Sequence, residues 1–561
     1  MKIFKPGTAS HAAAAALAAT LVASVLAGAG VPSRADTFGP RDLRDAIDRQ
    51  VHESPAALID RPGYRMPPRI DPKVIRLYHD RDMQPFWTAP DGPNRSAGVL
   101  RSVLAAADTQ GLDPLDYSVE QIDGLWDRKD VGSLARLELL LTLELGLYAS
   151  DLVEGRHQPR DFDPEAFPTA CDCELDSAAL LEKALTAPNL RTFLEDQAPP
   201  FSFYRGLREQ LAEYRALAAR GGWPQVPPGP SLKPGAKDAR VADVRKRLSV
   251  TGEWPGEDPG DGTEYDNVLV AAVKHFQRHQ GLDPDGIVGR STLEAMNVPV
   301  GRRIRQLVLN METWRWVARD HGDWWLAVNI PSFRLVGMRG DKTDLGMAVI
   351  VGDEYHMTPV FSDKLRYVEF NPRWEVPLSI AQKEMLPKLR QDPSYLKKER
   401  IRMFDGWDEG APEVDSAAVD WAKLSPNDMG RYRLRQDSGP ENSLGALAFI
   451  FPNPFDVYLH DTPAAGLFRF PKRTFSHGCI RVSGARELAA YVLGGPEKGW
   501  TEDRILDLIA DAKNQIVHLD PSLPVYILYN TAVVEPESRE LYFYSDVYGR
   551  DTLLEKALFQ Q

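Results

Sequence analysis

The stretch Ser476-His477-Gly478-Cys479-Ile480-Arg481 sets a thiol one residue after a glycine and two after an imidazole. A free cysteine thiol titrates near ~8.5, so a nucleophilic cysteine needs a base within reach. Two bases are at hand. His477 is close in sequence, but its ring must fold back over Gly478 to reach the sulfur. His460 ends the run Tyr458-Leu459-His460 and reaches across from a neighbouring strand if the intervening chain forms a hairpin loop. Gly478 predicts a tight turn that leaves the Gly478 and Cys479 N–H groups facing a developing oxyanion. The chemistry these groups suit is covalent acyl transfer: Cys479 attacks an amide carbonyl and expels an amine, leaving a thioester. His460 then serves as base and acid, with His477 as a positioning residue or the alternative base. A Cys–His ion pair is the expected resting state. The Tyr458 hydroxyl is placed to assist the oxyanion site. Arg481 meets either a substrate carboxylate or a structural acid.

A histidine at a strand end, a spacer of fifteen residues and then Ser-His-Gly-Cys-x-Arg is similar to the signature of L,D-transpeptidases, cysteine enzymes of bacterial peptidoglycan. The resemblance implies a tetrapeptide-stem donor, with Cys479 attacking at the L-centre of meso-diaminopimelate and releasing D-Ala. The acyl group then passes to the side-chain amine of another stem, a 3→3 crosslink. It also implies acylation of the same cysteine by carbapenems. In this family the base is often oriented by a nearby backbone carbonyl; the Asp461 carboxylate is the alternative here. Hydrolysis instead of transfer gives an L,D-carboxypeptidase or an amidase acting on wall-linked protein. A binding protein with a degenerate fold is disfavoured by the intact His460 and Ser476–Arg481 string, and a generic cysteine protease by the wall-binding module described below.

The elements that must position this site occupy a chain of 561 residues, too long for one core, with 43% hydrophobic and 26% charged residues. The net charge of -13 argues against a nucleic-acid partner. Lys2 and Lys5 precede an Ala-rich apolar run, Ala12 to Val31, and then Ser33-Arg34-Ala35. This predicts export to the periplasm through a signal peptide over 1–35, or a retained anchor as the only membrane contact. Three cysteines fit an oxidising compartment. Cys171 and Cys173 either pair across Asp172 or lie in a plain loop, leaving Cys479 unpaired. No His-Glu-x-x-His and no phosphate loop occurs, so no metal or other cofactor is expected.

Residues 36–225 read as helical. Leu134, Leu137, Leu141, Leu145, Tyr148 and Leu152 form one amphipathic stripe that stops near Gly155, and the region resembles the helical scaffold of large Gram-negative L,D-transpeptidases. A Pro/Gly-rich linker spans 221–237. Residues 238–298, with Phe276-Gln277, Gly281-Leu282 and Asp285-Gly286-Ile287-Val288-Gly289, resemble the three-helix peptidoglycan-binding domain. Its glycines fit positive-φ turns, and Ser291 or Thr292 is placed to cap the last helix. Peptidoglycan stems and glycan are the implied partners, with partner synthases left open.

From residue 305 to 530 short apolar or alternating runs predict a β-sandwich or mixed sheet, in agreement with the mainly-β catalytic domain of the resembling family. The strand series is broken over 380–436 by helical stretches such as Ile380 to Arg390. The resemblance implies that this insertion caps the cleft. Segments Asn371–Pro377, including Trp374, and Arg435–Asn442 flank it and line the cleft; Ser476, Tyr458, Arg481 and Trp374 are the expected substrate contacts. Relatives often carry Lys at the Ala448 position, a departure that bears on a surface contact. Residues 531–561 form a C-terminal extension with a closing strand or two and a short helix.

Overall fold

The computed structural model describes residues 38–53, 71–157, 159, 175–255, 260–319 and 321–559. The leader 1–35 and the Cys171/Cys173 pair lie outside them. Among the described residues no helix is long and apolar enough to cross a membrane.

The N-terminal region is helical: α1 (Pro40–Glu53), α2 (Pro72–Asp80), α3 (Arg95–Leu104), α4 (Val119–Trp126), α5 (Val131–Val153), α6 (Ser177–Thr186), α7 (Leu190–Glu195) and α8 (Ser202–Ala219). A two-residue ladder, β1 (Thr88–Ala89) with β2 (Gly92–Pro93), precedes α3. Helix α5 starts at Asp130, whose side chain accepts from Ser133 N–H. The predicted Leu stripe is buried, but Leu139, Leu140 and Leu143 on other faces are buried too. The helix is therefore a hub surrounded by its neighbours, not a surface helix with one wet face. Its Glu138 is fully buried and accepts from the N–H groups of Phe86, Trp87 and Thr88 and from the Tyr78 hydroxyl. These bonds compensate the burial of a carboxylate.

A second core belongs to α9 (Arg240–Val250), α10 (Asn267–His279) and α11 (Arg290–Met296), with Val241, Val244, Leu248, Leu269, Val273 and Phe276 inside. Gly281 (φ 61°) and Gly286 (φ 77°) occupy the left-handed turns expected of them. The expected side-chain cap differs: Gly289 is the N-cap of α11, and Thr292 lies inside the helix, bonding Ile287 O. The stretch 221–237 is not a free linker. Val226 and Leu232 are buried in this core, and Leu232 exchanges backbone hydrogen bonds with Val288.

The 305 boundary falls within a helix, α12 (Val300–Arg315), and strands begin only at β3 (Trp324–Asn329). Then come β4 (Arg334–Arg339), β5 (Lys342–Gly352), β6 (Phe361–Phe370), β7 (Trp374–Glu375), α13 (Leu378–Ile380), α14 (Leu386–Gln391), α15 (Tyr395–Lys398), β8 (Ile401–Asp405) and β9 (Tyr432–Gln436). The chain continues through β10 (Leu447–Ile450), β11 (Leu459–His460), β12 (Thr474–Ser476), β13 (Ile480–Val482), α16 (Ala485–Val492), α17 (Glu502–Ala510) and β14 (Gln515–Leu528). A nine-stranded mixed sheet runs β12-β5-β13-β11-β10-β6-β14-β3-β4, and a further β4–β5 pairing closes it on itself. Besides its helices the insertion contributes β8 and β9 to a three-stranded sheet, β7-β9-β8, completed by the flanking β7, with a core around Leu386, Leu389, Met403 and Trp421.

The C-terminal extension forms a hairpin, β15 (Ala532–Val534) with β16 (Leu541–Phe543), and a helix, α18 (Arg550–Phe559). A Cβ at Gly206 of α8 would lie 2.6 Å from Val534, so α8 and the hairpin touch almost backbone to side chain. Helix α12 is tied to the N-terminal helical region through a fully buried pair, Glu312 and Arg315, 2.5 Å apart. Glu312 also accepts from Arg156 N–H, and Arg315 donates to Gln110 O and the Tyr204 hydroxyl. Removing one member strands the other charge in the interior, which costs about 3–5 kcal/mol. Glu312→Ala is expected to lower the unfolding free energy of the first transition by that order, read by urea titration; a change under about 1 kcal/mol contradicts the role given to this pair.

Candidate active site

Strand β11 pairs in parallel with β13, with Leu459 opposite Ile480 and His460 opposite Arg481. The chain between them is therefore not a hairpin loop, because parallel strands need a crossover. The crossover includes a short helical turn, 465–469, and β12. Side chains alternate along a strand, so one register decides the site. Leu459 and Ile480 are fully buried in the sheet core. Tyr458, His460, Cys479 and Arg481 consequently share the opposite face and line one cleft of about 660 Å³.

The turn before Cys479 is built from its own side chains. Gly478 has φ 108°, a conformation that other residues rarely adopt. Ser476 is only 2% exposed; its hydroxyl donates to Cys479 O and accepts from Gly478 N–H at 3.3 Å. That assigns Ser476 to holding the turn, in place of the expected substrate contact. Thr358, which sequence reasoning passed over, donates to Gly478 O at 2.7 Å and accepts from Gly352 N–H at 2.9 Å. Tyr548 donates to Gly352 O at 2.6 Å, so the C-terminal extension supports the same turn from behind. No local motif marks Thr358, because its partner lies 120 residues away.

The Cys479 thiol donates to Asp456 O at 3.6 Å. Burial raises its pKa to about 11, against the opposing pull of the Tyr458 N–H. His460 is 5% exposed, and burial, with Arg481 nearby, lowers its pKa to about 4. Desolvation thus disfavours the charged form of both groups and opposes the expected ion pair. Nδ1 of His460 lies 2.6 Å from Asp461 O. A carbonyl only accepts, so Nδ1 carries the proton and Nε2 is the basic nitrogen. The Asp461 carboxylate is committed elsewhere, accepting from Ala446 N–H at 2.9 Å. Ala448 is buried directly opposite His460, so this position flanks the imidazole instead of forming a surface contact.

His477 lines the same cleft but is engaged with the insertion. It is exposed, its Nε2 sits 2.5 Å from the Glu384 carboxylate of the insertion, and its ring packs on His356 at 4.9 Å. Trp374 joins Glu375, Lys388, Tyr395 and Glu399 on the insertion's side of the cleft. Arg481 lines the other side, its charge disfavoured by burial, and makes no ion pair among the described residues.

Comparison with known proteins assigns three segments. Residues 323–521 match the family model of the "L,D-transpeptidase catalytic domain", 72–211 a "Scaffold domain" and 237–296 a "Putative peptidoglycan binding domain". A Haemophilus influenzae protein described as "Putative L,D-transpeptidase" is 32% identical over 277 residues, 48% of this chain and 54% of the relative; the match spans about half of that relative's length. Structures of L,D-transpeptidases from Xylanimonas cellulosilytica and Stackebrandtia nassauensis align at 13% and 12% identity. They cover 54% and 55% of this chain and 98% and 97% of their own, with TM-scores of 0.17 and 0.22.

A neutral thiol should react with iodoacetamide ever faster as pH rises from 7 towards about 10, since the thiolate fraction grows up to the pKa of about 11. A rate already flat above pH 5 would instead reveal a preformed thiolate. Thr358→Val, which deletes one hydroxyl bridge, is expected to lower kcat about tenfold with the fold retained by circular dichroism. An unchanged kcat removes Thr358 from the support of the turn.

Proposed function

We propose that the chain, whose residues 323–521 match the L,D-transpeptidase catalytic domain, forms 3→3 crosslinks in peptidoglycan through a thioester on Cys479. The observation that carries the reading is the shared face of β11 and β13, which sets a thiol, an imidazole and an unpaired guanidinium in one cleft. Cys479 Sγ attacks the carbonyl of the L-centre of meso-diaminopimelate in a tetrapeptide stem. His460 Nε2 takes the thiol proton as the S–C bond forms. The Cys479 N–H, with the Tyr458 hydroxyl, stabilises the oxyanion, since the expected Gly478 N–H is engaged by Ser476 in the turn. The C–N bond then breaks, His460 returns the proton to the departing amine of D-Ala, and the acyl group stays on sulfur.

In the second half the side-chain amine of another stem attacks the thioester. It loses a proton to His460, and the thiol leaves with that proton. A neutral resting pair suits this cycle, because the imidazole is free to accept at each attack. Arg481 holds a substrate carboxylate. Glu375, Glu399 and Asp456, which also line the cleft, favour the approach of an amine-bearing acceptor. The insertion, tied to the catalytic turn by Glu384 and His477, closes over the stem and limits water, favouring transfer over hydrolysis. The three-helix module holds glycan or stems near the site. The enzyme acts in the periplasm, and carbapenems acylate Cys479.

The mature protein incubated with disaccharide-tetrapeptide is expected to yield dimers lacking one D-Ala, read by mass spectrometry, and Cys479→Ala to yield none. Tripeptides alone reassign the chain as an L,D-carboxypeptidase; unchanged substrate with retention on sacculi leaves only a wall-binding protein. Arg481→Gln is expected to lower kcat/KM by about 10- to 100-fold, mostly through KM, as for loss of a charge-assisted hydrogen bond. Wild-type kinetics in that variant would falsify the carboxylate contact.

A further inference from the structure

His275 and His279 stand one turn apart on α10 of the three-helix module, with ring centroids 4.2 Å apart. Glu540 reaches them from the turn of the C-terminal hairpin, 261 positions after His279. Its Oε1 lies 3.7 Å from His275 Nε2 and 3.8 Å from His279 Nε2. Its Oε2 is occupied by the Tyr542 hydroxyl at 2.8 Å, which aims Oε1 at both rings. The hairpin turn is itself fixed by the Glu535 N–H to Glu540 O and Arg539 N–H to Glu535 O bonds, 3.0 and 2.9 Å.

These separations are too long for hydrogen bonds and too short for indifference. Among the described residues neither imidazole has a hydrogen-bond partner, and the buried Nδ1 of His275 has none at all. Around a tetrahedral cation with ligand bonds of about 2.0–2.1 Å, neighbouring ligand atoms lie roughly 3.3 Å apart. The three donor atoms all fall within 4.8 Å of one another, and the two edges from Glu540, 3.7 and 3.8 Å, exceed that tetrahedral value by about half an ångström at most. Side-chain exposures of 40%, 14% and 40% leave the cluster open to solvent on one side, so a cation has an entry path.

We propose that His275, His279 and Glu540 form a binding site for a divalent first-row transition metal, with Zn²⁺ as its best match, which clasps the three-helix module to the C-terminal hairpin. Two imidazole nitrogens and one carboxylate oxygen are the donor set that zinc accepts, and a fourth position remains for water. The Tyr542 hydroxyl acts as the outer partner of the carboxylate ligand. Because the same extension carries Tyr548, which bonds the loop behind Gly478, the clasp links the wall-binding module to the support of the catalytic turn. The clasp stands independently of the reaction proposed for Cys479.

The test is a Zn²⁺ titration of the full mature chain against a chromophoric chelator. Expected is uptake of one equivalent that His275→Ala and His279→Ala each abolish, that Glu540→Gln weakens at least tenfold, and that Cys479→Ala leaves intact. Melting curves in EDTA check that the variants fold. Independently of any variant, Zn²⁺ should protect His275 and His279 of the wild-type chain from diethylpyrocarbonate, mapped by mass spectrometry. Equal uptake by the wild type and both histidine variants, or unprotected histidines in the presence of Zn²⁺, overturns the site.

Discussion

Everything at the candidate site depends on the parallel register of β11 against β13. Leu459 and Ile480 bury themselves in the sheet core, and that burial forces their neighbours onto the other face. A slip of one residue would send His460 and Cys479 into the core and expose two large apolar side chains. The cost of such a slip is several buried side chains at roughly 1.5–3 kcal/mol each, far more than any polar contact in the cleft supplies. The sheet order adds to this, because β11 and β13 are each flanked by a paired strand on both sides and neither is an edge.

Once the face is set, desolvation decides the electrostatics. Burial in the cleft removes water from both the thiol and the imidazole, which disfavours the charged form of each. Orientation of the imidazole comes from a backbone carbonyl, which cannot take a proton and so leaves the basicity of Nε2 for the reaction. Arg481 is the uncompensated charge. A cationic side chain half withdrawn from water without an acid to pair with is unfavourable in an empty cleft, and a bound carboxylate relieves it.

The larger architecture transmits support to this small turn. Helix α12 is tied to the helical scaffold through a buried charge pair, and Gly155 allows it to pack closely: a Cβ there would lie 2.6 Å from Trp316 Nε1. The C-terminal extension meets α8, α10 and α12 and reaches the loop behind Gly478 through Tyr548. The extension thus touches the helical scaffold, the three-helix module, α12 and the loop behind the catalytic turn.

Local pattern made several features legible in the sequence alone. The Ser476–Arg481 string with His460, the 3.6-residue stripe of α5, the glycine turns at 281 and 286 and the alternating strand runs all encode their meaning within a few residues. So did the division into helical, three-helix and mainly-β parts. The tertiary structure alone decided that His460 faces the cleft beside Cys479 while His477 turns to Glu384, that Ser476 is spent inside the turn, and that the 461–475 chain is a crossover. It alone supplied Thr358 and Tyr548, and brought Glu540 to two histidines of the small module. The reason is physical: a side chain's neighbours across a closed sheet or a domain junction are set by register and packing between segments hundreds of residues apart, and no short-range spacing records them.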